Sequence, residues 1–319
     1  MFAGIDAGTK SYRVAVLDDK CNLEDVKIIE VPTERVKKKP EEFIKLLEDI
    51  NADVYSGLSG YGLPVKRFSE LSERDIRLMT LTLEEESSVG LRKLLKLIPK
   101  EVEFYTIPAV IHLPSVPEHR KFCRIDMGTY DKLCSAITAI VMGNENFVLA
   151  EVGYGYSSFL AVKDGKIVDG FGGSSFLPSY GFVGCLDAEV AYLLGEFSKS
   201  LLRTGLKEFG GGAIEALAEN VVKGIAAIST TTKTERILLS GRFSTSRILL
   251  EKVKSYFPNV EVLGPNSSAV GAAVISSAIV KGKFRDVVEK AEVFSAKGCV
   301  LDYLPERIKE LVERRLFFR

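Results

Sequence analysis

Tryptophan and glutamine are absent from the 319 residues, and histidine occurs only as His112 and His119. A lack of glutamine beside abundant glutamate and lysine is a bias of heat-adapted proteins and speaks to habitat alone. Cysteine is sparse as well. Cys21, Cys123, Cys134, Cys185 and Cys299 are scattered, odd in number and without a C-x-x-C spacing, which argues against a disulfide framework or a zinc site. They read as reduced, buried thiols, and a cytoplasmic location is expected. No one sign of charge prevails: Lys plus Arg equals Asp plus Glu at 43 each, so no global field recruits nucleic acid or an anionic membrane. The apolar stretch 269–280 is too short to span a bilayer and contains Ser276 and Ser277. The first residues form an apolar strand pattern rather than a basic region followed by a long hydrophobic stretch, so no export signal is expected.

What is present is the composition of a soluble folded chain, with 46% hydrophobic and 27% charged residues to build a packed core and a hydrated surface. The length exceeds what one core usually organises and predicts two domains with a cleft between them. Strands are expected at Phe2–Asp6, Tyr12–Leu17, Val26–Val31, Ala52–Ser56 and Val102–Ile107, and again at Phe147–Val152, Ser157–Val162, Lys166–Val168, Arg236–Leu239 and Val260–Leu263. Helical spacing of apolar residues marks Glu41–Ile50 behind Pro40, Leu81–Ile98, Thr129–Val141, Ala213–Thr230, Ser246–Tyr256, Ser268–Val280 and Pro305–Leu316. This alternation is α/β. The crossing between domains is expected near Pro108–Pro117, giving domains at 1–120 and 121–304, with the C-terminal helix within 305–319 returning to the first.

Three turns carry the chemistry. Gly4-Ile5-Asp6-Ala7-Gly8-Thr9-Lys10 is a strand–turn–strand that brings backbone N–H groups to a phosphate while Asp6 holds hydrated magnesium. Lys10 or Arg13 would neutralise charge on a transferring phosphoryl group. Glu151-Val152-Gly153-Tyr154-Gly155-Tyr156-Ser157-Ser158 again sets glycines and hydroxyls between strands, and Ser240-Gly241-Arg242 follows a buried strand where a nucleotide would rest. Arg124-Ile125-Asp126-Met127-Gly128-Thr129 competes for the role of second phosphate turn. It repeats the Asp-x-Gly-Thr wording of the first, but the residues after Thr129 read as a helix, which favours Gly153–Ser158. Asp126 then reads either as a cleft carboxylate or as a cap or turn residue.

At these residues the chain resembles the superfamily of actin, heat-shock ATPases and sugar kinases, whose two ribonuclease-H-like domains clamp ATP in an interdomain cleft. Within it the chain is most similar to the acetate and butyrate kinase branch, including archaeal sequences described as predicted butyrate kinases. The resemblance follows the branch's order: Phe2–Asp18 for the first phosphate loop, Ala52–Pro64 for a glycine-rich crossing, Phe147–Asp169 for the second phosphate loop, Val221–Phe243 for the approach to adenosine. The resemblance implies an ATP- and Mg2+-dependent kinase of a small acceptor, a short-chain carboxylate in the branch's manner, and a homodimer. Asp6 would be the metal ligand and, with Asp126 and Arg124, catalytic. Gly8, Thr9, Lys10, Gly153, Gly155, Ser157, Gly241 and Arg242 would hold the nucleotide.

The sequence also departs from that branch. Acyl transfer wants arginines beside the acceptor, yet Leu58-Ser59-Gly60-Tyr61 and Gly181-Phe182-Val183-Gly184 are uncharged where the branch supplies them, leaving Lys66 and Arg67 nearest. Asp126-Met127-Gly128-Thr129 stands where a histidine is usual. These departures keep a second expectation open, an ATPase switch that recognises a protein partner, and a third, an activator ATPase whose iron–sulfur cluster would need cysteines on a shared surface. Tyr61, Phe182 and Leu186 would suit an apolar acceptor tail if they face the cleft, and core packing otherwise.

Overall fold

Each half of the chain begins with a hairpin of the same design. The computed structural model describes residues 1–84 and 90–318. In the first half β1 (Phe2–Ala7) pairs antiparallel with β2 (Ser11–Leu17), from Phe2 opposite Leu17 to Ala7 opposite Tyr12. β3 (Lys27–Pro32) extends it antiparallel, while β4 (Val54–Gly57) and β5 (Phe104–Tyr105) add parallel strands on the other side, in the order β3-β2-β1-β4-β5. In the second half β6 (Phe147–Val152) and β7 (Ser157–Lys163) pair from Phe147 opposite Val162 to Val152 opposite Ser157. β8 (Lys166–Gly172), β9 (Ile237–Ser240) and β10 (Val260–Gly264) complete the order β10-β9-β6-β7-β8. The two mixed sheets therefore share one topology, each with its first strand central. This is the two-domain α/β arrangement of actin-like ATPases.

The helices connect parallel strands, as parallel pairing requires. α1 (Thr33–Lys38) and α2 (Pro40–Ile50) lead from β3 to β4; Pro40 begins α2, Glu41 and Glu42 occupy its first turn, and Phe43 and Leu47 are buried. α3 (Glu73–Thr80) starts on a capping box between Ser72 and Asp75 and stops where Leu81 turns left-handed at φ 42°. A continuous helix over Leu81–Ile98 is thus not formed. Only α4 (Leu91–Leu97) lies in that range, and part of the expected helix, residues 85–89, lies outside the described residues. Beyond β5 come α5 (Glu118–Lys121) and α6 (Tyr130–Val141). α7 (Ala188–Leu194), α8 (Ala213–Thr232), α9 (Arg247–Tyr256), α10 (Ser267–Ile279), α11 (Arg285–Lys290) and α12 (Glu306–Phe317) belong to the second half.

Two of these helices exchange sheets. α6, which leaves the first sheet, packs on β6 and β7, whereas α10, which leaves the second, packs on β1, β2, β4 and α6. α10 fits there because alanine, serine and glycine make up most of it and it is buried on every side from Ser267 to Ala278. Contact with β1 is tight enough that a Cβ at Gly4 would lie 2.0 Å from the Ala273 nitrogen. Ser276 donates to the Ala3 carbonyl at 2.7 Å and Ser56 to the Ala272 carbonyl at 2.8 Å, so the polar groups of this small-residue seam are satisfied. One core runs through both sheets as a result, and a second, smaller one lies between the other face of β6 and β7 and helices α8 and α9. α12 returns to the first half and lies on α3, where Arg74 meets Glu313 at 3.0 Å and Arg77 donates to the Leu316 carbonyl at 2.8 Å. Among the described residues no helix is long and apolar enough to cross a membrane.

Candidate functional site

The matching hairpins place matching carboxylates. Asp6 and Glu151 each occupy the last position but one of a central strand, opposite Arg13 and Ser158 respectively. The Tyr130 hydroxyl accepts from the Ala7 N–H at 3.0 Å and donates to the Ile5 carbonyl at 3.2 Å, which fixes the end of β1 against α6. Thr33 donates to the Gly8 carbonyl at 2.6 Å and steadies the first turn from α1. In the second turn Gly153 donates to the Tyr156 carbonyl at 3.0 Å, and the Ser157 N–H donates to the Ser179 hydroxyl at 2.8 Å. The turns meet across the cleft: a Cβ on Gly155 would lie 2.7 Å from Thr9 Oγ1 and 3.2 Å from the Phe182 ring. A side chain at residue 155 would have to displace Thr9 or Phe182.

The two turns wall a cavity of about 210 Å³, floored by Asp6, Asp131, Lys132 and Glu151. One end continues past Lys10, Ser11, Tyr154 and Arg242 into an open groove of about 690 Å³ that also touches Glu30, Tyr180 and Phe243. Tyr154, Tyr180 and Phe243 form an aromatic row there, with centroid separations of 5.4 and 5.0 Å, and the Lys10 ammonium sits 4.3 Å above the Tyr154 ring. The other end is apolar, with Tyr61, Met79, Leu91, Phe182 and Leu202 on its walls, and carries Lys199 and Arg203.

The floor is a buried ionic cluster. Burial pushes Asp6 up to about 7, reinforced by Asp131 and opposed by Lys132 and Arg13. Burial likewise raises Glu151 and Asp126, against Lys132 in the first case and two backbone N–H donors in the second. Burial alone would lower the Lys132 ammonium, but Asp131, to which it donates, and Glu151 at 3.3 Å hold it well above its ordinary value. Lys132 is therefore the fixed positive centre among the carboxylates. Burial pushes Lys199 down to about 8, opposed by Glu84. Its ammonium donates to the carbonyls of Thr80 at 3.1 Å and Leu81 at 2.9 Å and lies 5.3 Å from the Tyr61 ring, tying the segment Lys199–Arg203 to the end of α3.

Of the residues singled out in the sequence, Asp6, Gly8, Thr9, Lys10, Asp126, Gly153, Gly155 and Arg242 line this cavity. Gly241, at φ +83°, lies just behind it, where a Cβ would meet Glu151 Oε1 at 2.6 Å; Ser157 is buried beside it. Arg242 crosses the mouth to Ser11 at 3.3 Å and Glu30 at 3.2 Å. Asp126 accepts from the Gly128 N–H at 3.0 Å and the Ser174 N–H at 3.2 Å, so it both holds a turn and faces the chamber. Residues 124–129 lead into α6 and not into a strand, whereas residues 153–156 form the hairpin turn. Arg124 does not line the cavity and acts on Asp169 at the β8 side. Lys66 pairs with Asp75 at 2.8 Å and Arg67 with Glu103 at 2.6 Å, both away from it. His112 is buried with Nδ1 accepting from the Ala109 N–H at 3.0 Å, His119 is exposed, and Leu186 does not reach the chamber.

Sequence reasoning missed Asp131, Lys132, Glu151, Lys199 and Arg203 as site residues. Glu151 had a signal, since it stands two residues before Gly153 as Asp6 stands two before Gly8. The two cations at the inner end had none, because a loop far along the chain brings them back across the cleft.

The donor set accommodates a hydrated magnesium ion with phosphates, and not a metal held by protein alone. Among the described residues no three of His, Cys, Asp and Glu are placed to hold a metal ion, and all five cysteines are free thiols. Mg2+ ordinarily keeps several waters and takes one or two carboxylates plus phosphate oxygens, which Asp6 beside the Gly8 turn would supply. The Ser158 hydroxyl is buried at the cavity wall without a hydrogen-bond partner.

Acetate kinase from Entamoeba histolytica has a similar structure, with a TM-score of 0.52 at 12% identity over 79% of this chain and 84% of that chain. At that identity the likeness shows the fold alone. A ROK family protein from Streptococcus pneumoniae TIGR4, in complex with sucrose, aligns with a TM-score of 0.46 at 15% identity over 88% of this chain and 99% of that one. The activator of the 2-hydroxyisocaproyl-CoA dehydratase from Clostridium difficile, with bound ADPNP, aligns with a TM-score of 0.44 at 10% identity over 93% and 99%. Among curated proteins no sequence matches. Residues 4–306 match the family described as Protein of unknown function (DUF1464), and the chain belongs to that family.

Proposed function

We propose that the chain is an ATP- and magnesium-dependent phosphotransferase of the acetate and butyrate kinase type, acting on a small acceptor such as a short-chain carboxylate. The observation that carries this reading is the pair of hairpin turns, Gly8–Ser11 and Gly153–Tyr156, brought to one cavity with Asp6 and Glu151 at matching positions. The turn N–H groups and the Thr9 and Ser158 hydroxyls would hold phosphates, with Lys10 at the groove side. The aromatic row and Arg242 would border adenosine in the outer groove, with Gly241 behind them. Asp6 would hold magnesium, which when bound offsets charge on the phosphates. Asp126 would take the proton of a hydroxyl acceptor, and a carboxylate acceptor would give none. A phosphotransfer screen over acetate, propionate, butyrate, branched carboxylates and polyols tests the reading, with Asp6→Ala alongside. Loss of transfer by a factor of at least about 100 is expected; full transfer by Asp6→Ala would sink the assignment.

One observation favours a second reading, an ATPase switch with a protein partner. α7 buries none of its side chains, and Tyr192, Leu193 and Phe209 are 81%, 80% and 79% exposed. ATP hydrolysis that no acceptor accelerates, together with a partner bound in one nucleotide state only, would select this reading over a kinase.

A further inference from the structure

We propose that the inner end of the cavity is the acceptor subsite, that it takes a small carboxylate with an apolar body, and that Arg203 holds the charged group. The inference rests on reading the outer end as the nucleotide site. Three observations carry it. Arg203 lines the cavity and has no hydrogen bond or ion pair among the described residues. The first phosphate turn, Gly8 to Lys10, lines the same cavity, so Arg203 and that turn face one chamber. A cation without a hydrogen bond or ion pair among the described residues thus shares the chamber with the first phosphate turn and the apolar walls. Those walls, Tyr61, Met79, Leu91 and Leu202, present aromatic and aliphatic surface, beside the polar side chains of Thr80 and Asp126 that line the same cavity. A carboxylate needs one planar, charged partner and buries its chain against such walls.

Lys199 is the positioning residue. It spends its ammonium on the Thr80 and Leu81 carbonyls across the cleft and so sets where Arg203 stands, four residues along the same short 3-10 segment. In the transfer step a carboxylate oxygen forms a bond to the γ-phosphorus while the bond from that phosphorus to the β,γ-bridging oxygen breaks. ADP leaves with that electron pair, an acyl phosphate forms, and no proton moves.

The test has two arms. In the first, KM for butyrate and isobutyrate and Kd for Mg-ATP are measured for wild type, Arg203→Met and Arg203→Lys, with thermal melts to confirm folding. Arg203→Met should raise the carboxylate KM by at least about tenfold, the loss of one charge-assisted contact, with the lysine variant between the two and the nucleotide Kd little changed. An unchanged carboxylate KM in Arg203→Met, or transfer to glycerol or glucose in preference to any carboxylate, would overturn the proposal. The second arm follows butyrate binding to the nucleotide-free protein by saturation-transfer NMR. Should wild type bind no Mg-ATP, the nucleotide reading fails by itself; butyrate signals present in wild type and lost in Arg203→Met would then still support the subsite, and their absence from wild type would overturn it.

Discussion

Lys132 is the residue on which the buried charges of the site depend. It donates to Asp131, stands 3.3 Å from Glu151 and lowers the pKa of Asp6. Replacing it by methionine keeps the volume but leaves carboxylates facing one another out of water. Lys132→Met is expected to cost about 3 kcal/mol of stability, read as a lower urea midpoint at pH 7. The loss should shrink as pH falls through about 7, where Asp6, raised by burial, takes up a proton and the repulsion eases. His112 gives a prediction of its own, far from the cavity floor. Burial pushes it down to about 4 from an ordinary value of 6.5, its Nε2 having no partner. Between those values the unfolded chain binds a proton that the folded chain refuses, so stability falls as pH falls from about 6.5 to about 4. The contribution is on the order of 3 kcal/mol, and His112→Asn should flatten that part of the pH–stability profile.

At the scale of elements, the seam between β1 and α10 decides whether the first phosphate turn is held. A Cβ at Gly4 would lie 2.0 Å from the Ala273 nitrogen and 2.4 Å from the Ala269 carbonyl oxygen, both backbone atoms. Gly4→Ala therefore has to push the strand off the helix, and a loss of about 3 kcal/mol in urea unfolding is expected. The hairpins themselves were legible as alternating apolar runs around glycine turns, and α2 as a proline-led amphipathic helix, because those signals are local. α1, α3 and α7 were not. They are short, and α7 has no buried face to impose a period on its sequence.

At the scale of the molecule, contacts that close the cleft among the described residues include Arg242 with Ser11 and Glu30, Arg13 with the Pro265 carbonyl at 3.1 Å, and Lys199 with Thr80 and Leu81. The chamber they close, about 210 Å³, is smaller than the roughly 300–1,000 Å³ of ordinary ligand sites, so nucleotide phosphates and an acceptor together would fit in it only if the halves part. Small-angle scattering should show a smaller radius of gyration with Mg-ATP than without it. Identical profiles in both states would refute such opening. Arg242→Ala should change stability by less than about 1 kcal/mol, because its pair with Glu30 is solvent-exposed, while shifting the nucleotide-free profile toward the open form.

By itself the sequence determined two mixed α/β units, each led by a glycine-turn hairpin, and the residues of both turns, since strand period and turn chemistry act over a few neighbours. It also located Asp6, Asp126 and Arg242. Tertiary structure alone decided which charges share the chamber. Lys132 stands among Asp6, Asp131 and Glu151 because α6 crosses to the second sheet while its N-terminal end stays beside β1. Arg124 stays outside the cavity and Arg203, about 80 residues further along, lines it, because the fold and not the local sequence sets which segment reaches the cleft. Such pairings are long-range and electrostatic, and no local pattern of residues encodes them.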